Sequence, residues 1–133
     1  MNHLIFVYGT LQRGEIQDLS NLTPKPRFIG EALVKGFLYD LGHCPALLLS
    51  EEGYLVRGEL FEISQFLFDE LDAWEAQCGE FTLASAEATQ VTDAQGHPLA
   101  QPKLVHCDIY EGHPEMAVAP MVPEGRWRRG AHA

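Results

Sequence analysis

The feature that most limits what this chain can fold into is its surplus of short β-like segments over helices. Runs rich in β-branched, aromatic and aliphatic residues extend from Leu4 to Tyr8, Phe28 to Val34, Gly36 to Tyr39, Tyr54 to Ile63, Phe81 to Val91 and Lys103 to Tyr110. One strong helix interrupts them. It starts after Ile63 with Ser64 as N-cap, and Leu67, Leu71 and Trp74 fall at i, i+4 and i+7, an apolar stripe suited to docking on a sheet. A weaker helical pattern covers Glu15 to Leu22, before Pro24 and Pro26 force the chain extended. Asp93 to Pro98 reads as the turn between two long strands. Parallel neighbours need crossovers, usually helical, and the helices are too few to supply one for every pair. The pattern specifies an α+β fold: a mixed sheet or small β-barrel with the helix over one side. With 133 residues, 46% of them hydrophobic, one core and a single domain over 1–133 are expected.

Charge and cysteine usage narrow the function classes. A formal charge of −10 opposes attraction to phosphate backbones, so nucleic acid is not expected as a partner. No apolar segment is long enough for a transmembrane span, and Leu4 to Tyr8 is too short for a secretory core, so no membrane partner is expected. Cys44, Cys78 and Cys107 lie far apart in no C-x-x-C pair, which suggests neither a disulfide framework nor a zinc module and points to the reducing cytoplasm. Arg126, Arg128 and Arg129 flank Trp127 in a segment, 124–133, that reads as a flexible solvated tail.

Two strings carry the chemistry. Phe6-Val7-Tyr8-Gly9-Thr10-Leu11-Gln12-Arg13-Gly14 is a strand running into a glycine-flanked loop, which can present several backbone N–H groups to a carboxylate or a developing oxyanion. The same string also reads as an ordinary turn after an edge strand. In Phe68-Asp69-Glu70-Leu71-Asp72-Ala73-Trp74-Glu75, Glu75 follows Leu71 by four and Phe68 by seven, at the edge of the buried face near the helix C-terminus. Partial burial and the negative helix end would both raise its pKa toward that of a general base. A solvated helix-end carboxylate is the competing reading. Asp72, one turn earlier, is expected to bond a local backbone group, and Glu80 in Cys78-Gly79-Glu80-Phe81 is a second candidate acid. His43-Cys44 and His106-Cys107-Asp108 contain nucleophile and ligand types, but strand neighbours point to opposite faces, and Cys107 and Ile109 read as core. The six histidines are scattered, with no His-x-x-x-His pair on the helix, so no metal site is expected.

Taken together, these strings resemble the gamma-glutamylcyclotransferase-like family, which includes small bacterial proteins and gamma-glutamylamine cyclotransferases. Six strings match in family order over nearly the whole chain: Phe6 to Leu11, Gly36 to Ala46, Val56 to Phe61, Leu71 to Glu75, Ile109-Tyr110, and Gly125 to Trp127. The resemblance implies a compact mixed β-barrel flanked by helices, with a pocket between the opening loop and a catalytic glutamate. That glutamate falls on Glu75; Glu80 is the alternative, since some relatives keep only the later one. The resemblance further implies that backbone amides of Gly9, Thr10 and Leu11 bind the γ-glutamyl group, with Tyr8 nearby and Tyr110 lining the pocket. His43-Cys44 stands where the family often has aromatic residues, which would alter the pocket wall.

The activity implied is release of an amine and 5-oxoproline from a small γ-glutamyl amide by intramolecular cyclisation, with no cofactor. The alternative is a non-catalytic module binding a γ-glutamyl or other small carboxylate metabolite. The two share the loop and part at Glu75, because catalysis alone needs a carboxylate that exchanges protons.

Overall fold

The computed structural model describes residues 2–15, 17–78 and 81–127, with the backbone alone for 75–78. Six strands, β1 (Asn2–Val7), β2 (Arg27–Asp40), β3 (Pro45–Leu49), β4 (Tyr54–Ser64), β5 (Thr82–Thr92) and β6 (Pro98–Glu111), join one helix, α1 (Gln65–Cys78). The strand order is β3-β2-β4-β1-β6-β5, and a further pairing of β2 with β5 closes β2, β4, β1, β6 and β5 into a barrel. β3 lies outside the ring, on β2. All neighbours are antiparallel except β1 and β6, which run parallel with Ile5 opposite Asp108. The α+β barrel expected from the strand surplus is therefore present.

Side-chain alternation divides the apolar residues between two cores. Phe6 of β1 and Tyr8 just beyond it, Val56 and Leu60 of β4, and Cys107 and Ile109 of β6 point into the barrel, where they meet Ala32, Val34, Leu38 and Ala88. The intervening Ile5, Val7, Phe61 and Ile63 point outward and pack under Leu67 and Leu71 of α1. Strand β1 is buried on both faces, which explains its uninterrupted apolar run. Ser64 caps α1 as expected, its Oγ accepting from the Leu67 N–H at 3.2 Å. Burial of Leu67 and Leu71 contributes about 1.5–3 kcal/mol each toward holding α1 on the barrel.

Closure needs a local distortion. At Gly30 the backbone takes φ +154°, and a Cβ there would lie 2.2 Å from the Thr92 carbonyl oxygen, so only glycine lets β2 and β5 meet. Register shifts on both strands mark the seam, and the buried Gln90 amide donates to the Thr92 carbonyl at 2.8 Å to satisfy the kinked backbone.

Several expectations are corrected. Phe28 to Val34 and Gly36 to Tyr39 form one strand, and β3, unassigned from sequence, pairs with its second half. Glu15 to Leu22 is not an α-helix: Leu19–Asn21 makes one 3₁₀ turn, because the N–H groups of Gln17 and Leu19 bond back to the Thr10 and Leu11 carbonyls. Trp74 is 41% exposed and is not part of the docked stripe, which consists of Leu67, Phe68 and Leu71. Residues 124–127, expected as the start of a tail, are docked. Trp127 is buried among the barrel side chains, the Gly125 carbonyl accepts from the Arg57 N–H, and Arg126 pairs with Glu31 at 3.2 Å. Residues 128–133 lie outside the described part.

Candidate active site

The opening loop leaves the C-terminal end of β1 and turns at once. Tyr8 is buried, and its hydroxyl donates to the Tyr110 carbonyl at 2.7 Å while accepting from the Leu47 N–H at 3.2 Å. It thereby ties β1 to β6 and β3. Gly9 packs on Pro45, where a Cβ would approach the proline Cδ to 2.6 Å. Glycine is needed here for closeness, so that the loop can lie flat on the start of β3.

Beyond Gly9 the peptide groups are sorted by direction. The carbonyls of Gly9, Thr10 and Leu11 accept from the N–H groups of Gln12 (3.0 Å), Gln17 (2.9 Å) and Leu19 (3.1 Å). Among the described residues, no acceptor takes the N–H groups of Gly9, Thr10 or Leu11. A trans peptide points its C=O and N–H in opposite directions, so the Gly9 and Thr10 carbonyls, held against the protein, leave the Thr10 and Leu11 N–H groups facing away from it. Thr10 and Leu11 are only partly buried. Successive unpaired N–H groups of this kind form a site for a carboxylate or an oxyanion.

The far end of the loop is anchored by a carboxylate that sequence reasoning did not single out. Glu59 of β4 is buried and accepts from the Arg13 backbone N–H at 2.7 Å and from Arg13 Nε at 3.2 Å. The Arg13 guanidinium also stacks over Phe28, 3.5 Å from the ring centroid. Asp18 accepts from the Gly14 and Ser20 N–H groups. Burial pushes the Asp18 carboxyl up, but the bonds from Ser20 and Gly14 and the charge of Arg13 outweigh it, leaving a net lowering. The signal for Glu59 was present in period two: it shares a strand face with Phe61 and Ile63, an unusual place for a carboxylate lacking a partner.

α1 packs on the same side of the barrel as the loop. Leu11 from the loop, Tyr110 from β6 and Leu71 from α1 share one apolar cluster, so the three predicted strings meet on one side of the barrel. Tyr110 Oη and Asp72 Oδ1 are 3.5 Å apart, at the limit of hydrogen-bond reach. Asp72 thus faces a tyrosine and not the local backbone group expected for it. Glu75 stands one turn further along α1, where only the backbone is described, and Glu80 lies outside the described residues. Cys107 is buried in the barrel core, and burial, with the charge of Asp108, pushes its thiol up to about 12, far too high to supply a thiolate nucleophile near pH 7. Among the described residues no group of three or more His, Cys, Asp and Glu side chains is placed to hold a metal ion, and no helix is long and apolar enough to cross a membrane.

The model of the gamma-glutamyl cyclotransferase, AIG2-like family matches residues 5–129, from β1 through the docked Trp127 segment. The chain belongs to this family. A Vibrio cholerae protein named "Putative gamma-glutamylcyclotransferase" is 34% identical over 83 residues, 56% of this chain and 64% of that protein, so the chain spans less than two thirds of this curated relative. Among solved structures, an AIG2-like protein from Mus musculus superposes with a TM-score of 0.78 over 98% of this chain and 92% of its own, at 24% identity. The Bacillus subtilis protein YkqA gives 0.71 over 96% of this chain but 40% of its own, at 22% identity. At these identities the structural likeness establishes the fold, and the AIG2-like barrel is that fold.

Proposed function

We propose that this chain is a γ-glutamyl cyclotransferase acting on a small γ-glutamyl amide without a cofactor. The observation that carries the reading is the sorting of the loop peptides: the Gly9 and Thr10 carbonyls are turned into the protein and the N–H groups of the partly buried Thr10 and Leu11 have no acceptor among the described residues, beside the apolar cluster that joins Leu71 of α1 and Tyr110. Such a loop fits the α-carboxylate or the reacting γ-carbonyl of a glutamyl group, and the family supplies the chemistry.

In the proposed reaction the substrate's α-amine attacks its own γ-carbonyl. A new C–N bond closes the five-membered lactam, the original amide C–N bond breaks, and 5-oxoproline leaves with a free amine. No water is consumed. Glu75 relays two protons in turn from the attacking nitrogen to the departing one, the first from the α-ammonium and the second after the new C–N bond has formed, so the lactam nitrogen keeps one hydrogen, the amine leaves as an ammonium ion, and charge and protons balance over the cycle. Because both reacting groups belong to one molecule, the site has mainly to fold the substrate, an effect worth roughly 7–11 kcal/mol when orientation is good. Loop N–H groups that meet the oxyanion contribute about 3–4 kcal/mol each. The scattered cysteines suit a reducing cytoplasm.

The test is incubation with a panel of γ-glutamyl amides while 5-oxoproline is followed by mass spectrometry. Glu75→Gln should reduce turnover by about 10²–10⁴-fold, the usual worth of a general acid–base group, with little change in folding. Glu80→Gln should be much milder. The opposite order would move the acid–base role to Glu80, and normal turnover in both variants would remove the mechanism.

A further inference from the structure

We propose that Gln12 is a positioning residue: its side-chain amide sets the outward direction of the Thr10 N–H and couples the loop to the segment around Trp127. The inference rests on the reading of this loop as the substrate-binding element.

Gln12 is fully buried although it sits in a surface loop. Both hydrogens of its amide are engaged, with Nε2 3.2 Å from the Gly9 carbonyl oxygen and 3.0 Å from that of Trp127. Its backbone N–H reaches the same Gly9 oxygen at 3.0 Å. The side-chain amide cannot be turned over, since that would set Oε1 against two carbonyl oxygens. Oε1 is itself buried and has no donor among the described residues. A side chain retained only to fill space would be apolar, because a buried acceptor without a donor is destabilising and a methionine of similar shape avoids it. What the amide adds is a second donor on the Gly9 carbonyl. Holding that oxygen inward turns the Thr10 N–H of the same planar peptide outward, where the substrate would bind. The remaining hydrogen extends the constraint to Trp127, so the docked segment and the loop share one side chain.

Gln12→Met keeps the volume and removes the donors. In ¹H–¹⁵N spectra of the ligand-free protein, the Thr10 amide resonance should move, while resonances of β4 and β5 stay in place. An unmoved Thr10 resonance overturns the proposal. Added 5-oxoproline should shift Thr10 in the wild type and bind more weakly to the variant. With a working substrate, kcat should fall by up to about 10²–10³-fold, the loss expected for one oxyanion donor, and unchanged kcat and KM would overturn the positioning role. Gln12→Glu covers the case in which Gln12→Met does not fold. The introduced carboxyl donates to a carbonyl when protonated and is repelled by both when ionised, so Thr10 should resemble the wild type at low pH and depart from it at high pH. Arg13, Glu59 and Asp18 nearby are the same in both proteins, and the difference from wild type isolates the new group. A resonance that follows the wild type at every pH also overturns the proposal. If the wild type forms no 5-oxoproline from any γ-glutamyl amide, the enzyme reading fails, while displacement of Thr10 still decides the role of Gln12.

Discussion

Gly9 and Glu59 act on the opening loop from opposite ends, and each gives a different prediction. Gly9→Ala places a methyl group 2.6 Å from Pro45 Cδ, so the loop must lift from β3. Displacement of a binding element by about 1 Å can cost 10²-fold in rate, and a loss of that order in 5-oxoproline formation is expected with only a small change in Tm. Glu59→Gln keeps the shape but weakens the charge-assisted bonds to Arg13. Such bonds contribute about 1.5–3 kcal/mol, and urea denaturation should show a loss in that range. The partner arginine side chain is 44% exposed and can rehydrate, which keeps the cost below that of breaking a fully buried pair. How much of the site could be read from residues alone follows the same division. The glycine-flanked string announced a loop that could bare its amides, because glycine spacing is local information. The anchor at Glu59 and the bridge at Gln12 depend on partners 46 and 115 residues away, and no spacing rule carries that.

Legibility was greatest for elements whose apolar pattern has one period. β6 and α1 were evident because period two or a capped 3.6 repeat is imposed by a single packing surface, and β1 and β4 because burial on both faces gives a longer run of β-forming residues. β3 was missed because Pro45–Leu49 packs both into the barrel and against β2, leaving a short apolar run without alternation. The Trp127 segment was misread for another reason: its neighbours are arginines, and only the structure shows Arg126 and Arg57 converging on Glu31 of β2. That cluster has a pH signature. Burial pushes the Glu31 carboxyl up, but the hydrogen bonds and charges of Arg57 and Arg126 outweigh it, and the group titrates below its ordinary value of 4.5. Its folded pKa is depressed, so its contribution to stability is complete above that value and is lost as pH falls through the folded pKa. Arg126→Met should flatten this acid limb in a Tm-versus-pH series by lowering Tm at pH 8, where the cluster's contribution is complete, while leaving Tm nearly unchanged at the acid end, where it is already lost. An acid limb as steep as that of the wild type would exclude the cluster as its source.

For the molecule as a whole, the barrel interior depends on a residue near the end of the described chain. Trp127 is among the largest fully buried side chains and fills the lumen beside Phe6 and Leu38. Trp127→Ala should destabilise the fold by about 3–5 kcal/mol, measured by chemical denaturation, and should loosen the opening loop as well. The parallel pairing of β1 with β6 carries one more consequence, for the order of events during synthesis. β1 finds its partner Asp108 only after more than a hundred further residues have emerged, so the ring stays open, with an unpaired edge, for most of translation. A topology dominated by such distant contacts folds in roughly milliseconds to seconds. Ribosome-bound chains stalled before β6 should accordingly remain open to proteases and hold on to chaperones, and should become resistant in one step once the last strand is free to enter.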